Sequence, residues 1–288
     1  VRLRLSSSCV LFLALAGCAA DGGGPSLDPD DGTGGGGKLD AIISPDAPSG
    51  SHLVALEVVA GETFSCARLP DLTVACWGDI DAAPAGTFES ITAGRAHACG
   101  LRTDKTLACW GDDGAGQASP PTGPFLAVSA GHHHSCALAA DYTVACWGDT
   151  DAAPDGTFVQ VSAGGDHSCG VRTDYRLACW GGASTPDGTF TAVSAGGDHT
   201  CGIRSDLTMT CWDGGTAADG TFKLVSAGAS DTCAIATDYT LGCAGTAAPT
   251  GTFLGVSTGF AHVCALRTDQ TVACWGDDSS GQSTVPAL

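Results

Sequence analysis

Fourteen of the sixteen cysteines fall into seven pairs, and the partners of every pair stand ten positions apart. The pairs are Cys66/Cys76, Cys99/Cys109, Cys136/Cys146, Cys169/Cys179, Cys201/Cys211, Cys233/Cys243 and Cys264/Cys274. First cysteines recur every 31 to 37 residues, so one short unit is written seven times. Units of this length cannot bury an apolar face alone; they stack into solenoids, propellers or arrays.

Aligned on its cysteines, one unit reads Phe125 to Gly131, then His134-Ser-Cys-Ala-Leu138, then Asp141-Tyr-Thr-Val-Ala-Cys-Trp-Gly148. These are three short β-compatible runs separated by Gly or Asp turns, and no run has a helical period. The chain is therefore expected to be all-β. A tight turn is centred on Asp71, Asp104, Asp141, Asp174, Asp206, Asp238 and Asp269, each midway between its two cysteines. A hairpin folded about that midpoint sets the cysteines opposite one another, within reach of a disulfide. Zinc is the rival, because His97, His134, His167, His199 and His262 each precede a first cysteine by two positions. Phe64 and Asp231 interrupt that series while both their cysteines persist, and close Cys-x-x-Cys pairs are missing, so seven disulfides are expected.

Trp77, Trp110, Trp147, Trp180, Trp212 and Trp275 directly follow the second cysteines; Ala244 stands there in the sixth unit. Alternation sends each indole to the face opposite its cysteine, where it would wedge neighbouring sheets together. A ring of sugar-stacking tryptophans is the alternative.

Residues 1–17 read as an export signal. Arg2 and Arg4 precede a short apolar core, Cys9 to Ala16, too short to cross a bilayer. Leu15-Ala16-Gly17-Cys18 resembles the lipobox of bacterial lipoproteins, which implies cleavage before Cys18 and its lipidation. An ordinary signal peptide cut near Ala20 is the alternative. Residues 18–52, rich in Gly, Asp, Pro and Ser, read as a flexible tether to a repeat domain over 53–288. These features place the chain at a bacterial cell envelope, at the outer membrane or cell surface ahead of the inner membrane. The net charge is −19 with three lysines, which argues against nucleic acid as a partner. One methionine and abundant paired cysteine suit an oxidising compartment.

The strand-turn-strand units ending in Cys-Trp-Gly resemble the repeats of the regulator-of-chromosome-condensation family. Ala130-Gly131, His134 to Leu138 and Trp147-Gly148 carry the likeness, and Trp110 to Gln117 and Trp275 to Gln282 match its fuller Gly-Gln ending. The resemblance covers about residues 53–288 and implies a seven-bladed β-propeller, here of short three-stranded blades. The units are shorter than the family's four-stranded ones and closer to a variant seen in a β-lactamase-inhibiting propeller. The connectors, such as residues 79–87 and 149–157, are expected to cross the blade as a degenerate fourth strand. Ring closure is expected where Leu53 to Ala60 meets Ser283 to Leu288 in a shared last blade.

No catalytic constellation emerges. Asp166-His167-Ser168 resembles a triad only in print, because neighbours on a strand face opposite ways. His132 to His134 split between faces in the same manner, leaving a weak metal site as a minor alternative. Asp79/Asp81 and Asp149/Asp151 lack the rest of a calcium loop and read as solvated turns. No cofactor is called for. The expected role is a monomeric, membrane-anchored module binding a protein or glycan, with a structural envelope protein or an inhibitor of a secreted or periplasmic enzyme as alternatives. Two binding surfaces are candidates. Between each Gly and the His position two residues vary from unit to unit, and they include Arg95, His133 and Phe260. On the opposite side, Tyr142, Tyr175, Leu207 and Tyr239 follow the hairpin Asp in four consecutive units, where such a turn favours Gly.

Overall fold

The computed structural model describes residues 53–287. The expected leader over 1–17, Cys18 and the tether over 18–52 lie outside the described residues.

Seven three-stranded antiparallel sheets follow one another along the chain, each contiguous in sequence. Blade four is representative: an inner strand Phe158–Ala163, a middle strand Ser168–Arg172 and an outer strand Leu177–Trp180. The seven sheets close into a propeller whose inner strands line a central channel. The hairpin between middle and outer strands sets the register. In blade three the Asp141 carboxylate accepts from both the amide and the hydroxyl of Thr143, which fixes the turn. Folded about this turn, Cys136 stands opposite Cys146, and the same register recurs in all seven blades. Every expected pair forms a disulfide, Cys66–Cys76, Cys99–Cys109, Cys136–Cys146 and Cys169–Cys179 in blades one to four. Cys201–Cys211, Cys233–Cys243 and Cys264–Cys274 follow in blades five to seven. Their Cα atoms stand 4.0–4.1 Å apart.

The residue at each hairpin tip adopts a left-handed backbone although none is Gly. Leu72, Lys105, Tyr142, Tyr175, Leu207, Tyr239 and Gln270 have φ between 66° and 71°. The geometry turns each tip carbonyl towards the next blade. Tyr142 O accepts from Phe158 N at 2.8 Å, and equivalent bonds join the other neighbours. The series closes where Gln270 O accepts from Ala55 N at 3.0 Å.

Between most blades, the disulfide of one sheet shares an apolar cluster with the tryptophan of the next. Cys66–Cys76 clusters with Trp110, Cys136–Cys146 with Trp180, and Cys264–Cys274 with Trp77. Trp110 and Trp180 are buried, and Trp77, Trp147, Trp212 and Trp275 are half-buried and packed against these clusters, so the indoles pack the ring. The Cys99–Cys109 bridge of blade two departs from this pattern. Cys109 is half-buried and stands outside the next cluster, in which Trp147 packs with Leu101 and Leu107 of blade two instead of with the sulfurs.

Two further expectations are corrected. The connectors over 79–87 and 149–157 form no fourth strand; they run as coil and bends. Pro84 and Pro154 offer no amide hydrogen to a ladder, and Gly86 and Gly156 turn the chain through φ of 131° and 127°. Nor is there a shared last blade. Residues 57–60 form the inner strand of the first sheet, so no slot remains for a strand from the other end. The two ends do adjoin, with Leu53 and Val285 in one apolar cluster, but Val54 bridges to Thr271 of blade seven. Residues beyond Trp275 reach back over blade one, where Gln282 O accepts from Ser65 Oγ at 3.0 Å and Trp77 Nε1 at 2.9 Å.

Candidate functional site

One face of the ring is closed by an iris of glycines. Each inner strand ends in Gly, and a Cβ on Gly131 would stand 2.4 Å from the carbonyl oxygen of Gly164 in the next blade. Gly is required for this close approach. Backbone bonds run round the mouth, among them Arg95 N to Gly131 O, His132 N to Gly164 O and Phe260 N to Gly61 O. The variable residues stand on this rim. Phe260 is 47% exposed, Arg95 is half-buried in an ion pair with Glu62 at 2.8 Å, and His132 and His133 are half-buried one blade further on. The hydrogen bond that Arg95 donates to the Glu62 carboxylate raises Arg95 above its ordinary value, and burial lowers His132. Phe260, Glu62, Arg95 and His132 belong to blades seven, one, two and three and line one sector of the mouth, whereas the expected His133 stands beside His132 and does not line it.

Immediately beneath the mouth lies a polar latch between blades. His97 Nε2 meets Ser135 Oγ at 2.8 Å, and the same bond joins His134 to Ser168, His167 to Thr200, His199 to Thr232 and His262 to Ser65. In each case the histidine belongs to one blade and the hydroxyl to the next. The two exceptions are apolar on the receiving side. Phe64 is followed by Ala98, and Asp231 by Val263, at the position of the hydroxyl. The Ser135 hydroxyl also donates to Gln117 O at 3.1 Å, as Ser65 donates to Gln282 O. With their one proton committed, these hydroxyls accept from the His97 and His262 Nε2–H groups, which leaves Nδ1 of both rings without a proton and without a partner. Burial lowers His97, His134 and His262 to about 4, so all three are neutral at pH 7.

The hairpin tips stand on the opposite face. Tyr142, Tyr175, Leu207 and Tyr239 are 37%, 54%, 42% and 37% exposed, on four consecutive blades. Tyr239 lies under Lys223, whose Nζ is 3.5 Å from the ring centroid. Lys105 occupies the same position in blade two and pairs with Glu89, while Leu72 is half-buried. The apolar tips thus form one arc and not a full circle. Below each arc residue, except in blade four, a Thr hydrogen bond holds the hairpin aspartate under the usual carboxylate range.

Comparison with known proteins fits this geometry. The model of the regulator of chromosome condensation (RCC1) repeat matches residues 88–117, 158–184 and 254–282. Three of the seven units thus match the RCC1 repeat. Among solved structures it is similar to the ectodomain of the Physcomitrella patens receptor kinase CR4, at 27% identity and a TM-score of 0.70, over 76% of this chain and 73% of that one. The CRINKLY WD40 ectodomain of the Arabidopsis thaliana receptor kinase ACR4 is similar at 26% identity and 0.70, over 78% and 94%. Prp20p from Saccharomyces cerevisiae shares the fold at 13% identity and 0.63, over 82% and 85%. No curated protein matches the chain.

Within the repeated unit, several residues matter that sequence reasoning passed over. Arg102, Arg172, Arg204 and Arg267 end middle strands, stack 4.8–5.1 Å over the Phe that opens the inner strand, and each donates to a connector carbonyl. Arg68 departs because Ala55 replaces that Phe; it pairs instead with Glu57 at 3.2 Å. Glu57 faces the channel, and burial raises its carboxyl more than Arg68 lowers it. The signal was present as a recurrent Arg two positions before the hairpin Asp. It was masked by Ala139 and Ala236 in two repeats, and by the one-residue displacement of Arg68 in the first.

Proposed function

We propose that this chain is a non-catalytic, protein-binding propeller, held outside the cytoplasm by a lipidated Cys18 and its tether, that engages its partner through the arc of hairpin tips. One observation carries the reading. Four consecutive blades each expose a bulky apolar side chain at the same turn, although the left-handed backbone there favours Gly. A contiguous apolar arc on a chain of net charge −19 suits contact with another protein. The RCC1-like fold supports a protein-binding module, as the binding of Prp20p to Gsp1p and histones illustrates for that protein. Likeness to two receptor-kinase ectodomains and the presence of seven disulfides support an extracytoplasmic place.

The test compares two variants of the full chain in quantitative capture from envelope extracts. Changing Tyr142, Tyr175, Leu207 and Tyr239 together to Gly is expected to lower partner recovery by roughly tenfold or more, with an unchanged melting temperature. Changing Arg95, His133 and Phe260 to Ala is expected to leave recovery intact. Full recovery by the tip variant would overturn the arc as the contact surface. Loss of recovery in the mouth variant alone would move the site to the glycine iris. If wild-type chain retains nothing, the structural envelope reading takes its place. Inhibition of a recovered secreted enzyme would identify the inhibitor reading.

A further inference from the structure

Six blades wedge a tryptophan against the preceding sheet, and blade six has Ala244 at that position. Where the indole is present, it typically joins the cluster that holds the preceding disulfide: Trp212 with Cys169–Cys179 and Trp275 with Cys233–Cys243. The cluster between blades five and six contains Cys201, Cys211, Ile203 and Phe222 but no indole. An apolar cavity of about 300 Å³ lies there instead, lined by Met209, Ala217, Phe222, Ala234, Gly242 and Ala244 among others. Sites for small ligands begin at roughly this size. Gly242 and Ala244 are exposed on the outer strand, so the cavity opens on the outer wall of the ring. Met209 is buried, at a position where other repeats carry Val or Leu, and its long side chain reduces the void without filling it.

We propose that this cavity receives one aromatic side chain, of indole size, from a polypeptide partner. The six intact interfaces define the occupant: each seats a flat ring that enters from a strand lying outside the preceding sheet. A partner segment laid along the outer wall of blade six would deliver a ring in the same way, its backbone staying in solvent beside Gly242 and Ala244. The proposal rests on the protein-binding reading but not on the arc of hairpin tips, which stands on another surface.

Met209 is the only methionine of the chain and lies in the cavity wall, so a methyl-labelled methionine gives a single NMR probe of occupancy. Titration with N-acetyl-tryptophanamide is expected to move that resonance upfield, by ring-current shielding, to saturation; N-acetyl-leucinamide is expected to leave it in place. Ala244→Trp should shift the resonance on its own and abolish the response to the probe. Gly242→Leu is a second filling variant, since a Cβ there meets nothing within 4 Å, and it too should abolish the response. A Met209 signal unmoved by the tryptophan amide up to its solubility would overturn the proposal. So would an equal response to the leucine amide, or a response that persists in Gly242→Leu. None of these readouts requires the partner, so a failure here is distinct from a failure of the tip variant to lose partner capture.

Discussion

At the scale of single residues, the histidines carry the most physical consequence. Each of the five latch histidines is buried and bonded through Nε2 to the next blade's hydroxyl, and in His97, His134 and His262 the second ring nitrogen has no partner. A proton added to that nitrogen has nothing to donate to. The folded value of about 4 lies below the ordinary 6.5, so the unfolded chain binds more protons as pH falls between them. Stability is therefore fully present above pH 6.5 and is lost progressively down to about pH 4. Urea midpoints measured across that interval should fall steadily, and those of a His97/His134/His262 triple Gln variant should fall less. His134→Ala leaves the buried Ser168 hydroxyl without its ring and should cost roughly 1–3 kcal/mol. The paired change His134→Phe with Ser168→Ala copies the Phe64/Ala98 interface and should recover much of that loss, as a double-mutant cycle by urea denaturation would report. The sequence showed the histidines but not their targets. Donor and acceptor belong to different copies of the repeat, as with His97 and Ser135, so aligning copies on one another hides the pairing.

At the scale of the hairpin, the legible and the illegible are closely mixed. Cysteine spacing and the midpoint Asp dictate the register, because a turn fixed by an Asp carboxylate determines which residues face each other. Which bridges then touch a neighbouring indole was not written there: Cys99–Cys109 has the same spacing as the rest yet stands apart from Trp147. The same spacing says nothing about connectors, whose path depends on Pro84, Gly86 and the Arg102 guanidinium that donates to Ala85 O at 2.9 Å. A strand was expected there from blade geometry alone, and a residue without an amide hydrogen prevented it. Removing one bridge by Cys169→Ser should cost roughly 2–3 kcal/mol on the chain-entropy account. Hydrogen exchange should locate the loss in the hairpin of blade four and leave blades one and seven unaffected. The tips give an opposite prediction. A non-Gly residue in the left-handed region is strained by about 1 kcal/mol, so Tyr175→Gly should leave the melting temperature unchanged or raise it slightly. A clear fall would show that the ring's packing outweighs the turn.

For the molecule as a whole, seven repeats announced a closed ring, but the means of closure was not visible. Ala55 takes the place of the opening Phe, and its amide bonds Gln270 as each Phe bonds the preceding tip. The eye aligns copies on conspicuous residues, and an Ala is not one. The candidate site was half legible: the variable rim and the exposed tips could be named, but the vacancy beside Ala244 required knowing which faces the indoles fill. Anchoring belongs to this scale as well. With Cys18 lipidated, the whole chain should partition into detergent, and Cys18→Ser should release it to the aqueous phase in a phase-separation assay.

The latch also gives the ring a grammar. Every latch histidine points forward, from one unit to its successor, so a unit that carries one makes a demand on the next. Units three, four and five each demand a hydroxyl and supply one. The first demands nothing polar, and the second offers the methyl of Ala98 in reply; the sixth replaces the histidine by Asp231, and the seventh offers Val263 in place of a hydroxyl. A copy of unit four inserted after itself would be understood by both neighbours. A copy of unit one inserted after itself would set Phe64 against the hydroxyl of a second Ser65, and the seam would hold an unanswered polar group. Repeats that look interchangeable on the page are therefore ordered, and rings of altered length can grow in some places and not in others.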